Sequence, residues 1–275
     1  MSVQEALAAV LTSEEEHALL RDDPARLQRR YGLSDAELAM LAGARPAGFR
    51  VTRTNVQGKL RRAVTAFLPL TVAELTERHA ALWEEFVART VRRPQSDGRA
   101  PGLWEAERLV AWLSERATPP LADHARYELA RVTLSRDREA ARAARDHVAP
   151  APGDALAVSA AVRVVGFEHD VTAGSPIAEL PSARTTVLLR RRWGSPPVQA
   201  YRIGDGTAAL LALCDGTRTA DEAASAVGGD REQASAVLAG LAEAGVLRPH
   251  PYARPHGSPA AAPPPADAVR GVPSA

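Results

Sequence analysis

The chain of 275 residues contains one cysteine, Cys214, and one lysine, Lys59. A single cysteine excludes an internal disulfide and any Cys-x-x-Cys metal or redox pair. The seven histidines, at positions 17, 79, 124, 147, 169, 250 and 256, include no two at helical ligand spacing, so the sequence carries no metal-site signature. It also lacks a Gly-rich phosphate loop and a nucleophile elbow. Glu168, His169 and Asp170 form the only compact triplet of catalytic residue types. On a strand the two carboxylates would point away from the imidazole. No catalytic residue is therefore expected, nor a metal or cofactor in this chain. No run approaches the roughly twenty apolar residues of a membrane span. The amino-terminal stretch MSVQEALAAVLTSEEE lacks the basic start and apolar core of a signal peptide, so a cytoplasmic protein without membrane contact is expected. A net charge of +1 gives no bias towards nucleic acid, and 45% hydrophobic content in a chain of this length permits two cores.

The most informative block lies between residues 162 and 248. Residues 161 to 171 (AVRVVGFEHDV), 185 to 193 (TTVLLRRRW) and 197 to 203 (PVQAYRI) are rich in β-formers and separated by Gly, Pro and Ser, as strands are. In the third, Gln199, Tyr201 and Ile203 should face one side and Val198, Ala200 and Arg202 the other, with one face buried. From Thr207 the period becomes helical, with Leu210, Leu213 and Cys214 on one stripe and Asp215-Gly216 ending it. Burial in that stripe is the expected role of Cys214. The segment CDGTRT (214 to 219) is read as a hinge. Thr219-Ala-Asp-Glu222 is a capping box opening a second short helix. Asp230 caps a third, with Ala234, Val237, Leu238 and Leu241 as its stripe and Gly245 at its end. Three strands followed by three helices make a small winged-helix-like module.

The remainder divides into three. Residues 1 to 50 should hold two or three helices, with a capping box at Ser34-Asp-Ala-Glu37 and a break at residues 43 to 48 (GARPAG). Residues 51 to 148 read as helical throughout. Within them Thr71 and Glu74 are expected to form a capping box, and Val72, Leu75, His79, Leu82 and Phe86 to share one continuous face, with His79 as a hydrogen-bonded core residue. A longer helix begins near Pro119-Pro120, and residues 136 to 146 read as a solvated extension. Residues 249 to 275, dominated by Pro, Ala and Gly, are expected to be disordered. The expected fold class is thus α+β, an all-helical domain (51 to 148, preceded by the segment 1 to 50) followed by the module at 158 to 248.

The stretches YRIGDGTAALLALCDGTRTADEAASAV and VLAGLAEAGVL resemble the RiPP recognition element, the fold of the pyrroloquinoline quinone peptide chaperone. That resemblance implies capture of the leader of a ribosomally made precursor peptide, which adds to the third strand and lies against the third helix. Carried onto this chain, it implies a docking surface of Val198, Gln199, Ala200, Tyr201 and Arg202, with Gln233 and Val237 from the helix and Arg190 supplying charge for an acidic leader. Joined to LRRAVTAFLPLTVAELTERHAALWEEFVAR and PPLADHARYELARV, the module resembles partner proteins of multinuclear non-heme iron-dependent oxidases, over about residues 55 to 248. The resemblance implies an accessory subunit that forms a heterodimer with the oxidase, the iron being held by the enzyme. The alternative is a winged-helix transcription regulator that binds DNA. Against it, the exposed positions of the third helix (Asp230, Arg231, Glu232, Gln233, Ser235, Ala239 and Glu243) offer phosphates one positive charge among three negative ones. A stand-alone enzyme using His169 is a third reading, without a constellation to support it.

Overall fold

The computed structural model describes residues 3–43, 46–90 and 100–250. It has an α+β fold, with thirteen α-helices and two three-stranded antiparallel sheets among the described residues. The chain divides into two compact units, one of residues 1–146 and 160–208 and the other of 147–159 and 209–275. The expected tail at 249 to 275 falls, from residue 251 onward, outside the described residues.

The first unit opens with four short helices, α1 (Val3–Thr12), α2 (Glu14–Asp22), α3 (Pro24–Tyr31) and α4 (Asp35–Ala42), then the longer α5 (Pro46–Thr65). This is more helix than the two or three expected before residue 50. The reason is local capping: Ser13, Asp23 and Ser34 each accept a backbone N–H at a helix start, and Gly32 ends α3 in the left-handed conformation. The capping box of Ser34 and Glu37 forms as read. Ala6, Val10, Leu20, Leu27, Leu33, Leu41 and Phe49 make the core of this part.

A second core, centred on Leu60, Phe67, Leu75, Trp83, Phe86, Leu109, Leu113 and Leu121, joins α5 to α6 (Pro69–Arg78), α7 (Ala80–Arg89), α8 (Leu103–Arg116) and α9 (Pro119–Arg136). The continuous face expected from Val72 to Phe86 is broken at His79, which ends α6 and precedes α7 with φ −132° and ψ 41°. His79 is half-buried at this junction and not in the core. Residues 136 to 146 are also not merely solvated. Asp137 caps α10 (Arg138–Arg145), whose Ala140 is fully buried against the sheet described next.

That sheet consists of β2 (Val162–Phe167), β3 (Thr185–Arg192) and β4 (Ser195–Ile203), in the order β2-β3-β4. Its register pairs Val165 with Val187 and Leu189 with Ala200. One face, bearing Phe167, Val187, Leu189 and Val198, packs on Tyr127 and Leu134 of α9. Burial of such side chains contributes about 2 kcal/mol apiece. The strands that sequence reading grouped with the C-terminal helices therefore share a compact unit with α9 and α10.

The second unit has a sheet of order β5-β1-β6, from β1 (Ala155–Val158), β5 (Asp215–Thr219) and β6 (Leu247–Pro249). The segment read as a hinge is thus a strand, because β1 supplies a partner for it, Ala157 opposite Asp215 and Ala155 opposite Thr219. The helix α11 (Asp205–Leu213) precedes β5, and α12 (Ala220–Ala226) and α13 (Arg231–Glu243) follow it. Thr219 and Glu222 form the expected capping box, and Asp230 caps α13. Ala234, Leu238, Val246 and Leu247 are buried, as is Cys214, whose thiol donates to the Leu210 carbonyl and whose pKa burial pushes up to about 11.

Candidate functional site

The sheet order leaves β4 at an edge, and among the described residues no backbone group bonds it on the side away from β3. Which groups face outward follows from the ladder. The Arg191 N–H donates to the Ala161 carbonyl directly opposite it, which fixes the alternation across β3. Carried through the β3–β4 register, Gln199, Tyr201 and Ile203 exchange bonds with β3. The N–H and C=O groups of Ala200 and Arg202 point to the open side, and the register shifts beyond the Arg190–Gln199 pair, next to Val198. The same alternation gives the side-chain faces expected from sequence: Val198 and Ala200 lie with the α9 core, and Tyr201 is exposed.

The other edge of this sheet, β2, is blunted. The Gly166 carbonyl accepts from Arg126 at 3.2 Å. Just beyond β2, the N–H groups of Glu168 and His169 donate to Asp123 Oδ2 at 2.9 and 3.1 Å, and His169 Nδ1 meets the same oxygen at 3.0 Å. Side chains so placed occupy the positions a further strand would need. The triplet at 168 to 170 lies past the end of the strand, and Asp170 is turned to Thr172 and to Arg202, at 2.6 and 3.0 Å. His169 and Asp170 thus serve different partners.

The arginines near β4 separate into distinct roles. Arg191 donates to the Leu134 and Asp137 carbonyls at 3.3 and 2.7 Å, which satisfies the C-terminal end of α9. Arg202 is paired with Asp170. Arg190, opposite Gln199, has no carboxylate partner among the described residues. Partial burial lowers its pKa from the usual value, repulsion from Arg192 adds to this, and Tyr201 opposes it. The Tyr201 hydroxyl donates to Gln199 Oε1 at 2.6 Å. A half-desolvated cation beside an open strand is a place where an incoming carboxylate gains.

Beside the start of β4 lies a cleft of about 260 Å³ lined by Pro69, Leu70, Tyr127, Arg131, Val132 and Val198 among others. Its polar side is Glu128, whose carboxylate accepts from the N–H groups of Leu70 and Thr71 at 2.8 and 2.9 Å and from the Thr71 hydroxyl at 2.7 Å. Thr71 is therefore inside α6 and does not form the expected box with Glu74. The N-terminal donors of α6 are satisfied by a residue of α9. His124, 3.5 Å from the same hydroxyl, is buried, and burial lowers its pKa from 6.5, with Glu128, Glu74 and Arg131 as the charges around it. For a depressed histidine the unfolded chain takes up the proton first. The contribution to stability is complete above pH 6.5 and declines as pH falls below it, levelling off past the folded-state value. Urea titrations from pH 8 to pH 5 should show this decline, and His124→Asn should flatten it.

Of the residues singled out from sequence, Arg190, Val198, Gln199, Ala200, Tyr201 and Arg202 are brought together on one sheet. Gln233, exposed, and Val237, half-buried, are on α13 of the other unit, so strand and helix do not share a compact unit. Sequence reading missed Tyr127, Glu128 and Arg131 of α9. Among the described residues no group of three or more His, Cys, Asp or Glu is placed to hold a metal, and no helix is long and apolar enough to cross a membrane. No family model matches the chain, and no curated protein matches it.

Proposed function

We propose that this chain is a non-catalytic accessory subunit that binds the leader of a ribosomally made precursor peptide and presents it to a partner iron-dependent oxidase. The observation that carries the reading is the open edge of β4, where Ala200 and Arg202 offer main-chain groups without a partner among the described residues. A leader adding there gains backbone hydrogen bonds, and Arg190, which has no carboxylate partner among the described residues, supports an acidic one. Held in the heterodimer, the rest of the precursor is at high effective concentration beside the oxidase's active site. The iron belongs to the partner, and the complex acts in the cytoplasm. The chain itself contributes the docking surface and no reacting group.

The test uses a candidate precursor peptide, sought among the short reading frames near this gene and synthesised with a fluorescent label. It should bind the full chain, and Ala200→Pro should weaken binding at least tenfold while leaving the melting temperature within a few degrees. Proline removes an N–H that faces the open side, a change an edge strand tolerates. Equal affinity for wild type and a folded Ala200→Pro variant defeats the reading, as does the absence of any oxidase that the chain co-purifies with when the two are co-expressed.

A further inference from the structure

A fourth strand laid on β4 would sit about 4.8 Å from it, and its residues opposite Val198 and Ala200 would project to the same face as those side chains. That face is the α9 side, where the cleft between α6 and α9 begins at Val198. The floor is apolar, from Tyr127, Val132 and Pro69, and the rim carries the exposed Leu70. One charge in the cleft is uncommitted. The Arg131 guanidinium lies 5.3 Å from the Tyr127 ring centroid and has no carboxylate partner among the described residues. The Glu128 carboxylate is consumed by the N-terminus of α6.

We propose that this cleft, and not the face of α13, reads the inward side chains of the docked strand, and that it selects a segment with an acidic residue set two positions from an apolar one. The two inward side chains are two residues apart because strand side chains alternate. One covers Leu70 and Val132 while the other reaches Arg131 with a charge-assisted hydrogen bond. Arginine already stacked on an aromatic ring loses little freedom when it receives a carboxylate. This inference rests on the strand-addition reading above.

A library of random dodecapeptides displayed on phage is selected against the immobilised full chain, in parallel with Arg131→Glu, Arg131→Gln and Val237→Arg. Wild type should enrich peptides carrying the acidic and apolar pair by at least tenfold over a blank surface. Arg131→Glu should reverse the preference to Lys or Arg, Arg131→Gln should erase it, and Val237→Arg should leave it intact. If Arg131→Glu does not fold, as judged by circular dichroism, the Gln variant decides. An acidic preference that survives loss of Arg131, or that vanishes in Val237→Arg, overturns the cleft while leaving strand addition standing. A wild-type chain that enriches no peptide overturns both.

Discussion

Truncating Phe167 to alanine should cost about 4 kcal/mol, in the range found for phenylalanine removed from a packed core. Phe167 ends β2 at 2% exposure, with its ring edge-on to Tyr127 at 6.0 Å and the Arg126 guanidinium 5.3 Å from its centroid. The informative part is where the loss is felt. Because the sheet and α9 belong to one compact unit, urea unfolding followed by helix signal and by sheet signal should shift together. Were the strands an autonomous module, the variant would melt them and leave the helical signal at its wild-type midpoint.

The second large effect is expected from Glu128→Ala, about 3 kcal/mol. The carboxylate satisfies two N–H groups and one hydroxyl at the buried start of α6, and each buried donor left alone costs about 1–3 kcal/mol, less what water entering the adjacent cleft restores. Thr71→Val, which removes the hydroxyl and leaves the backbone donors bonded, should cost about a third as much. Differential scanning calorimetry of the two variants separates them. Equal losses would mean that Glu128 acts through packing instead of through the helix terminus.

Much that the sequence revealed is local. Two of the three expected capping boxes, at Ser34 and Thr219, and the cap at Asp230 depend on residues three positions apart or fewer, and these form; the third, at Thr71 and Glu74, does not, because α6 already starts at Pro69 and Glu128 of α9 takes the Thr71 hydroxyl. The alternation of Val198, Ala200 and Arg202 against Gln199 and Tyr201 is likewise a property of the strand alone, and the ladder reproduces it. What was missed depends on partners far along the chain. Asp215 to Thr219 reads as a hinge because Asp-Gly signals a turn, and only its pairing with β1 makes it a strand. Asp123 and Glu128 look like the solvated carboxylates of any charged helix. Their acceptor roles appear once the start of α6 and the loop after β2 are brought against α9. His79 breaks a helix whose apolar period runs through it unaltered, so periodicity alone could not locate the break. The candidate site was legible by half: the strand was visible, but the cleft beside it depends on the packing of α6 and α9.

The order of assembly during synthesis follows from how the second unit is threaded. Its central strand, β1, is made before the whole of the β2–β4 sheet, whereas β5 and β6 that flank it come afterwards. At roughly 5–20 residues per second the ribosome needs several seconds to deliver the missing neighbours. Throughout that wait residues 155–158 must stay extended and uncommitted while the sheet encoded after them can already form on α9. The first unit can therefore mature on the nascent chain. The sheet of the second unit closes only when residues 247–249 have left the exit tunnel, so β6 is the clasp that completes it.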